Sequence, residues 1–288
     1  MHINRLCIPT KRGSLLSGAL FEDGSSDSVL ICITGLHGNS FTNPFLRDAG
    51  RKIAKSGINF ILAETSDAYP SIESFNVKTG KPETLGSRRG RLEDSIDDIG
   101  SYITKAEGMG YKHIYLAGHC LGASKVVHYL ATIQDKRVEH FVLFSPGDHG
   151  QFMSELTENE KEYVLKEMEQ GHEDEMLPFA LMGWFNCSVG TAYDYVNDKC
   201  IIYVASADKE PPNDDLKRLN LSGMFVIGDG DVYAIPGPLE YLQKINADTP
   251  ESDVNELIVI EGADHIYQGK GEALAEGILP ILHKWSEK

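Results

Sequence analysis

Apolar stretches of strand length recur along this chain, each followed by a stretch with helical spacing, and that alternation restricts the possible folds severely. "SVLICIT" (28–34) precedes "NPFLRDAGRKIAKSG". There Asn43 can cap a helix, Pro44 suits its first turn, Phe45, Ala49 and Ile53 share a face, and Gly57 ends it. "INFILA" (58–63) leads through a polar loop to "RLEDSIDDIGSYITKAEG", with Leu92, Ile96, Ile99 and Ile103 in register. "KHIYLAG", a helix from Leu121 to about Ile133, and "VEHFVLFS" (138–145) continue the pattern. Later, "GMFVIGDGD" and "ELIVIEGADH" add two strand-and-turn units, with helical "PLEYLQKI" between them and "GEALAEGILPILHKW" behind. The expectation is an α/β fold with a mostly parallel central sheet flanked by helices.

The interruption covers residues 150–200. "SELTENEKEYVLKEMEQGHEDE" is acidic with a helical pattern, and "MLPFALMGWF" is bulky and apolar. As a surface excursion its acidic face is simply solvated. As a helical cap it would place Phe179, Met182, Trp184 and Phe185 over a substrate pocket. Residues 1–149 and 201–288 then form two parts of one core, and "CIIYVA" (200–205) is either a further strand or the exit from the cap.

With 288 residues the chain can bury a large core. A formal net charge of −16 disfavours nucleic acid and anionic membrane surfaces, which call for a basic face. The N-terminal "MHINRLCIPTKRG" lacks a signal-peptide core and no stretch reaches membrane-spanning length, so the expected location is cytoplasmic. Cysteines 7, 32, 120, 187 and 200 show no C-x-x-C spacing and read as separate thiols, without a disulfide framework or a metal site.

One junction carries chemistry. "YLAGHCLGASK" (115–125) puts Cys120 between Gly118 and Gly122, where a strand gives way to a helix. Small neighbours allow a strained central residue to project above the sheet. A thiol at the first turn of a helix meets unpaired N–H groups and the positive end of the dipole, which favour the reactive thiolate. Otherwise Cys120 is a small apolar residue in a tight packing turn.

G-H-C-L-G resembles the G-x-S-x-G nucleophile elbow of the α/β-hydrolase superfamily, with cysteine for serine, over most of the chain from about residue 28 apart from the cap. The cysteine form is similar to the dienelactone hydrolase elbow, with Ala123 where a third glycine is usual. The resemblance implies an α/β-hydrolase fold, and an acid and a histidine that follow the nucleophile in chain order. "FVIGDGDVY" points to Asp231, with Asp229 and Asp208 as competitors, and "LIVIEGADHIY" to His265. Asp264 reads as solvated, and His119 as packing beside the elbow. The resemblance further implies two oxyanion N–H donors. One belongs to Leu121; the other belongs to Leu36 if the first central strand ends at Thr34, or comes from His37-Gly38-Asn39 if it runs longer. "SRRGR" (87–91) can hold a substrate anion or pair with acids such as Glu93 and Asp94.

A thiolate is a better leaving group than an amine, so activated acyl groups suit it. The expected activity is hydrolysis of a small-molecule ester, thioester or lactone through Cys120, His265 and Asp231, with no organic cofactor and no metal. The same acyl-cysteine could feed acyl transfer or cyclisation, and a weakly catalytic ligand-binding protein on this scaffold is a further reading.

Overall fold

The structure is a computed structural model and describes residues 1–197, 202 and 214–287. In chain order the elements are β1 (His2–Pro9), β2 (Leu15–Glu22), β3 (Ser28–Ile33), α1 (Pro44–Lys55), β4 (Asn59–Ala63), β5 (Ile72–Asn76) and β6 (Lys81–Leu85). There follow α2 (Asp94–Gly108), β7 (His113–His119), α3 (Leu121–Ile133), β8 (Val138–Phe144), α4 (His149–Met153), α5 (Glu158–Glu169) and α6 (Val189–Val196). The chain closes with α7 (Asp214–Lys217), β9 (Gly223–Gly228), α8 (Pro238–Ala247), β10 (Glu256–Ile260) and α9 (Gly271–Ser286).

Eight strands form one sheet in the order β1-β2-β4-β3-β7-β8-β9-β10. The six from β4 to β10 pair in parallel, and β1 and β2 extend the β4 edge antiparallel. Every residue of β3, β4 and β9 is buried, as strands covered on both faces require. On one face Val29, Ile31 and Ile33 pack with Tyr102 and Ile103 of α2, Val126 and Leu130 of α3, and Leu242 of α8. On the other, Leu30 and Cys32 meet Phe45, Ala49 and Ile53 of α1 and Leu274, Ile278 and Leu282 of α9. Successive residues of a strand point to opposite faces, so one strand serves both cores.

Two details differ from the sequence reading. The polar loop after β4 contains the β5–β6 hairpin, mostly exposed and therefore without an apolar alternation to read. It docks through polar groups: Val77 N–H donates to Gly13 O at 2.8 Å, and Asn76 Nδ2 to Arg12 O at 3.2 Å. At the start of α1, Pro44 does occupy the first turn, but the Asn43 side chain makes no capping bond.

Between β8 and β9, α4 to α6 pack around their own cluster of Leu156, Val164, Leu181, Phe185 and Val189. Val164 is the buried residue of α5, whose other faces carry the acidic sequence. The excursion reaches the body at Leu36, and the Phe185 ring meets His37 edge-on at 5.8 Å between centroids. Of "CIIYVA" only Ile202, buried in the first core, lies within the described residues. No helix among the described residues is long and apolar enough to cross a membrane.

Candidate active site

The two glycines of the elbow are required by contact. A Cβ on Gly118 would sit 2.7 Å from Ala123 N, and one on Gly122 2.7 Å from Thr34 O, so strand β7, helix α3 and the end of β3 meet backbone to backbone. Cys120 links strand and helix with φ 53° and ψ −121°, a conformation costly for a residue with a side chain. It is held there from both sides: Cys120 N–H donates to Phe144 O of β8, and Ala123 N–H to Cys120 O, each at 3.0 Å.

The carboxyl ends of β9 and β10 supply the other groups. His265 Nδ1 lies 2.9 and 3.1 Å from the two Asp231 carboxylate oxygens, and the His265 ring also hydrogen-bonds with Cys120. Cysteine, histidine and aspartate, distant in sequence, thus form one connected chain. Burial lowers the affinity of His265 for a proton, but the hydrogen bonds and negative charge of Asp231 and Cys120 outweigh it and push the pKa up to about 10. Burial raises the Asp231 pKa, yet bonding to His265, with help from Ser145 and the Tyr233 N–H, holds it below the ordinary carboxylate value. Tyr233 packs edge-on against the His265 ring at 4.7 Å.

The competing residues have other tasks. Asp229 is exposed, and its Oδ1 accepts the Gly262 N–H at 2.7 Å, bracing the turn after β10. Asp264 is not simply solvated: its Oδ1 accepts the Gln268 N–H at 2.8 Å. Asp208 lies outside the described residues. His119 is buried against Phe45, Tyr267 and His265, and its Nε2 lies 2.8 Å from the His265 carbonyl. Nε2 therefore carries a hydrogen and donates it, fixing the backbone of His265. Burial, followed by the positive charge of His265, lowers the His119 pKa to about 3.

Strand β3 ends at Ile33, and Leu36 of the following loop lines one cavity together with Leu121, the residue after Cys120. Gly35 lies so close that a Cβ there would be 2.9 Å from His119 O and 3.0 Å from Cys120 Cβ. Leu121 is the first helical residue of α3, and its N–H has no intrahelical acceptor.

Phe179, Met182, Trp184 and Phe185, expected to line a substrate pocket, lie on the excursion. Met182 and Phe185 are buried in the core of the excursion, Phe179 packs on Tyr163, and Trp184 is half exposed beside Phe185. Apolar residues at this density fill the small domain that carries them first. A cavity beside Leu36 and Leu121 is lined by residues such as Asp67, Arg91, Lys125 and Asp194. The basic cluster clips the excursion to the body: Arg91 binds Asp194 of α6 through two nitrogens at 2.9 and 2.8 Å, and Arg89 donates to Asp174 O at 2.7 Å. Asp194 is the carboxylate bound through both nitrogens, and Asp94 Oδ2 accepts the Arg91 N–H at 3.3 Å.

Lys125 was not singled out from the sequence. It is buried one turn into α3, with Nζ 2.6 Å from Asp67 and 3.2 Å from Thr65 Oγ1. The available signal was a lysine within a helix whose residues from 121 to 127 are otherwise uncharged. Cys7, Cys32, Cys120 and Cys187 are free thiols, and Cys200 lies outside the described residues. Among the described residues one group, Glu167, His172 and Glu175 on the excursion, brings possible metal-ligand atoms within 4.8 Å of one another; His172 and Glu167 there form an ion pair at 2.7 Å.

The sheet order, the helices on both faces and the elbow define an α/β-hydrolase fold. No protein-family model and no curated protein matches the chain by sequence. Solved structures match it over nearly its whole length at low identity. Est1E from Butyrivibrio proteoclasticus aligns with 14% identity over 99% of both chains at a TM-score of 0.64. The alpha/beta hydrolase GrgF from Penicillium sp. sh18 aligns with 16% identity over 100% of this chain and 98% of its own at 0.68. A thioesterase domain from the curacin biosynthetic pathway aligns with 12% identity over 97% and 100% at 0.60.

Proposed function

We propose that the protein is a hydrolase of small activated acyl compounds, an ester, thioester or lactone, and that it works through an acyl-thioester on Cys120. The observation that carries this reading is the hydrogen-bonded line Cys120–His265–Asp231 on a strained elbow at the carboxyl edge of the sheet. The structural neighbours, which include an esterase domain and a thioesterase domain by their titles, accord with it.

In the proposed reaction the Cys120 thiolate attacks the acyl carbon and forms a C–S bond, while the carbonyl electron pair moves to oxygen. The Leu121 and Leu36 N–H groups receive that oxyanion. As it collapses, the bond to the leaving alkoxide or thiolate breaks and the leaving group takes a proton from His265. Water then attacks the thioester and gives a proton back to His265; C–S cleavage releases the acid and restores the thiolate. Asp231 keeps the imidazole in one tautomer and stabilises its protonated form. The high proton affinity of His265 suits an imidazole that holds the proton between the two halves of the reaction.

Intact-mass spectrometry after incubation with a panel of acyl thioesters and lactones tests this. A transient acyl adduct that maps to Cys120, is absent in Cys120→Ala and persists in His265→Ala is expected. Turnover that survives Cys120→Ala would refute the assignment.

A further inference from the structure

Behind the elbow lies a cavity of about 30 Å³, bounded by the body on one side and α6 on the other. Leu36 and Leu121, whose N–H groups flank the expected acyl oxygen, line it together with Lys125, Asp67 and Ser87. Its far wall carries the Arg91–Asp194 ion pair. We propose that this cavity is the acyl subsite and that Lys125 makes it selective for short acyl groups bearing a neutral oxygen acceptor, such as 3-hydroxyacyl groups. The inference rests on the acyl-cysteine reading above and names the substrate class for the same site.

Three physical features support it. Size comes first: the volume corresponds to roughly one to three water-sized positions, which suits an acyl tail of about two to four heavy atoms and is too small to hold a long or aromatic chain entirely. Lys125 follows Leu121 by four residues, so both side chains lie on one face of α3 about 6 Å apart along the axis. The lysine and the residue that follows Cys120 thus line the same cavity.

Charge decides what the lysine can accept. The Lys125 side chain is 3% exposed, and a buried ammonium requires compensation. Asp67 at 2.6 Å supplies the opposite charge and Thr65 a second acceptor. An ammonium has three N–H donors, so one remains without an acceptor among the described residues. Asp67 already matches the charge of Lys125, and Asp194 that of Arg91, so an incoming carboxylate would add an unmatched negative charge, whereas a hydroxyl or carbonyl oxygen accepts the remaining N–H without adding charge. Arg91 is turned towards Asp194, to which its Nε and one terminal nitrogen are bound.

The test uses N-acetylcysteamine thioesters of 3-hydroxybutanoate, 3-methylbutanoate, malonate and decanoate, with kcat/KM and Cys120 acylation followed for each. The 3-hydroxyl and 3-methyl groups are nearly isosteric, so their ratio isolates the hydrogen bond. The wild type should prefer 3-hydroxybutanoyl over 3-methylbutanoyl by about 10- to 100-fold, as a charged donor implies. Malonyl and decanoyl should be poorer still. In Lys125→Met, and in Lys125→Met/Asp67→Asn if the single variant leaves Asp67 uncompensated and fails to fold, the preference should fall to within about threefold of unity. Acylation of Cys120 without a hydroxyl preference in the wild type, or a preference that survives loss of Lys125, would overturn the subsite and leave the acyl-cysteine reading standing. Failure of every thioester to acylate Cys120 would remove both.

Discussion

Asp231→Asn tests the electrostatics at the centre of the site with almost no change in shape. The carboxylate accepts the His265 Nδ1 hydrogen at 2.9 and 3.1 Å, in a place where His265 is mostly buried. Burial alone would drive the imidazole below its ordinary 6.5, yet its pKa stands at about 10. The interval corresponds to roughly 5 kcal/mol in favour of the imidazolium, before the cost of burial is added. Asp231 and Cys120 share this stabilisation, and the Asp231 hydrogen bond is the larger of the raising influences. An asparagine keeps one acceptor but loses the charged hydrogen bond, so about 2–3 kcal/mol should disappear. The assay is an NMR titration of the His265 imidazole, assigned by its loss in His265→Ala. The wild-type midpoint should lie near 10, and that of Asp231→Asn about two pH units lower. Cys120→Ala should lower it too. A midpoint in Asp231→Asn within about half a pH unit of wild type would show that the carboxylate is not what holds the proton, and the role given to Asp231 would collapse with it.

Three further outcomes follow from the geometry. Gly122→Ala drives a methyl to 2.7 Å from Thr34 O, between two backbones that cannot part easily, and should cost about 3 kcal/mol in chemical denaturation; a cost under about 1 kcal/mol would contradict the contact. His119, with a pKa lowered to about 3 from 6.5, contributes stability that is fully present above pH 6.5 and lost as pH falls towards 3, because the unfolded chain takes up the proton first. Replacing it by glutamine should therefore flatten unfolding free energy against pH by about 1.4 kcal/mol per pH unit between pH 6 and 4, and an unchanged slope would refute a buried neutral His119. Asp194→Ala leaves Arg91 without its carboxylate and should loosen α6 by about 2 kcal/mol, read as roughly 30-fold faster limited proteolysis within residues 150–197; equal cleavage rates would show that the clip does not hold the excursion.

What the sequence determined was local and periodic. The uninterrupted apolar runs of β3, β4, β7 and β9 announce strands covered on both sides, and Gly118 and Gly122 around Cys120 announce a junction where backbones touch. Chain order and position at strand ends sufficed to select His265 and Asp231 as candidates. Tertiary structure separated Asp231 from Asp229, since two carboxylates two residues apart on one turn differ only in which of them faces His265 and which faces the Gly262 N–H. It likewise showed that the apolar residues from 179 to 185 serve mainly the core of the excursion, and that the pairing of Arg91 joins α6 to the body across 103 positions. The β5–β6 hairpin and Lys125 stayed hidden for a common reason. Periodicity reports burial of apolar faces, whereas an exposed hairpin held by backbone bonds and a buried lysine matched by Asp67 depend on polar partners that only the folded chain brings within reach.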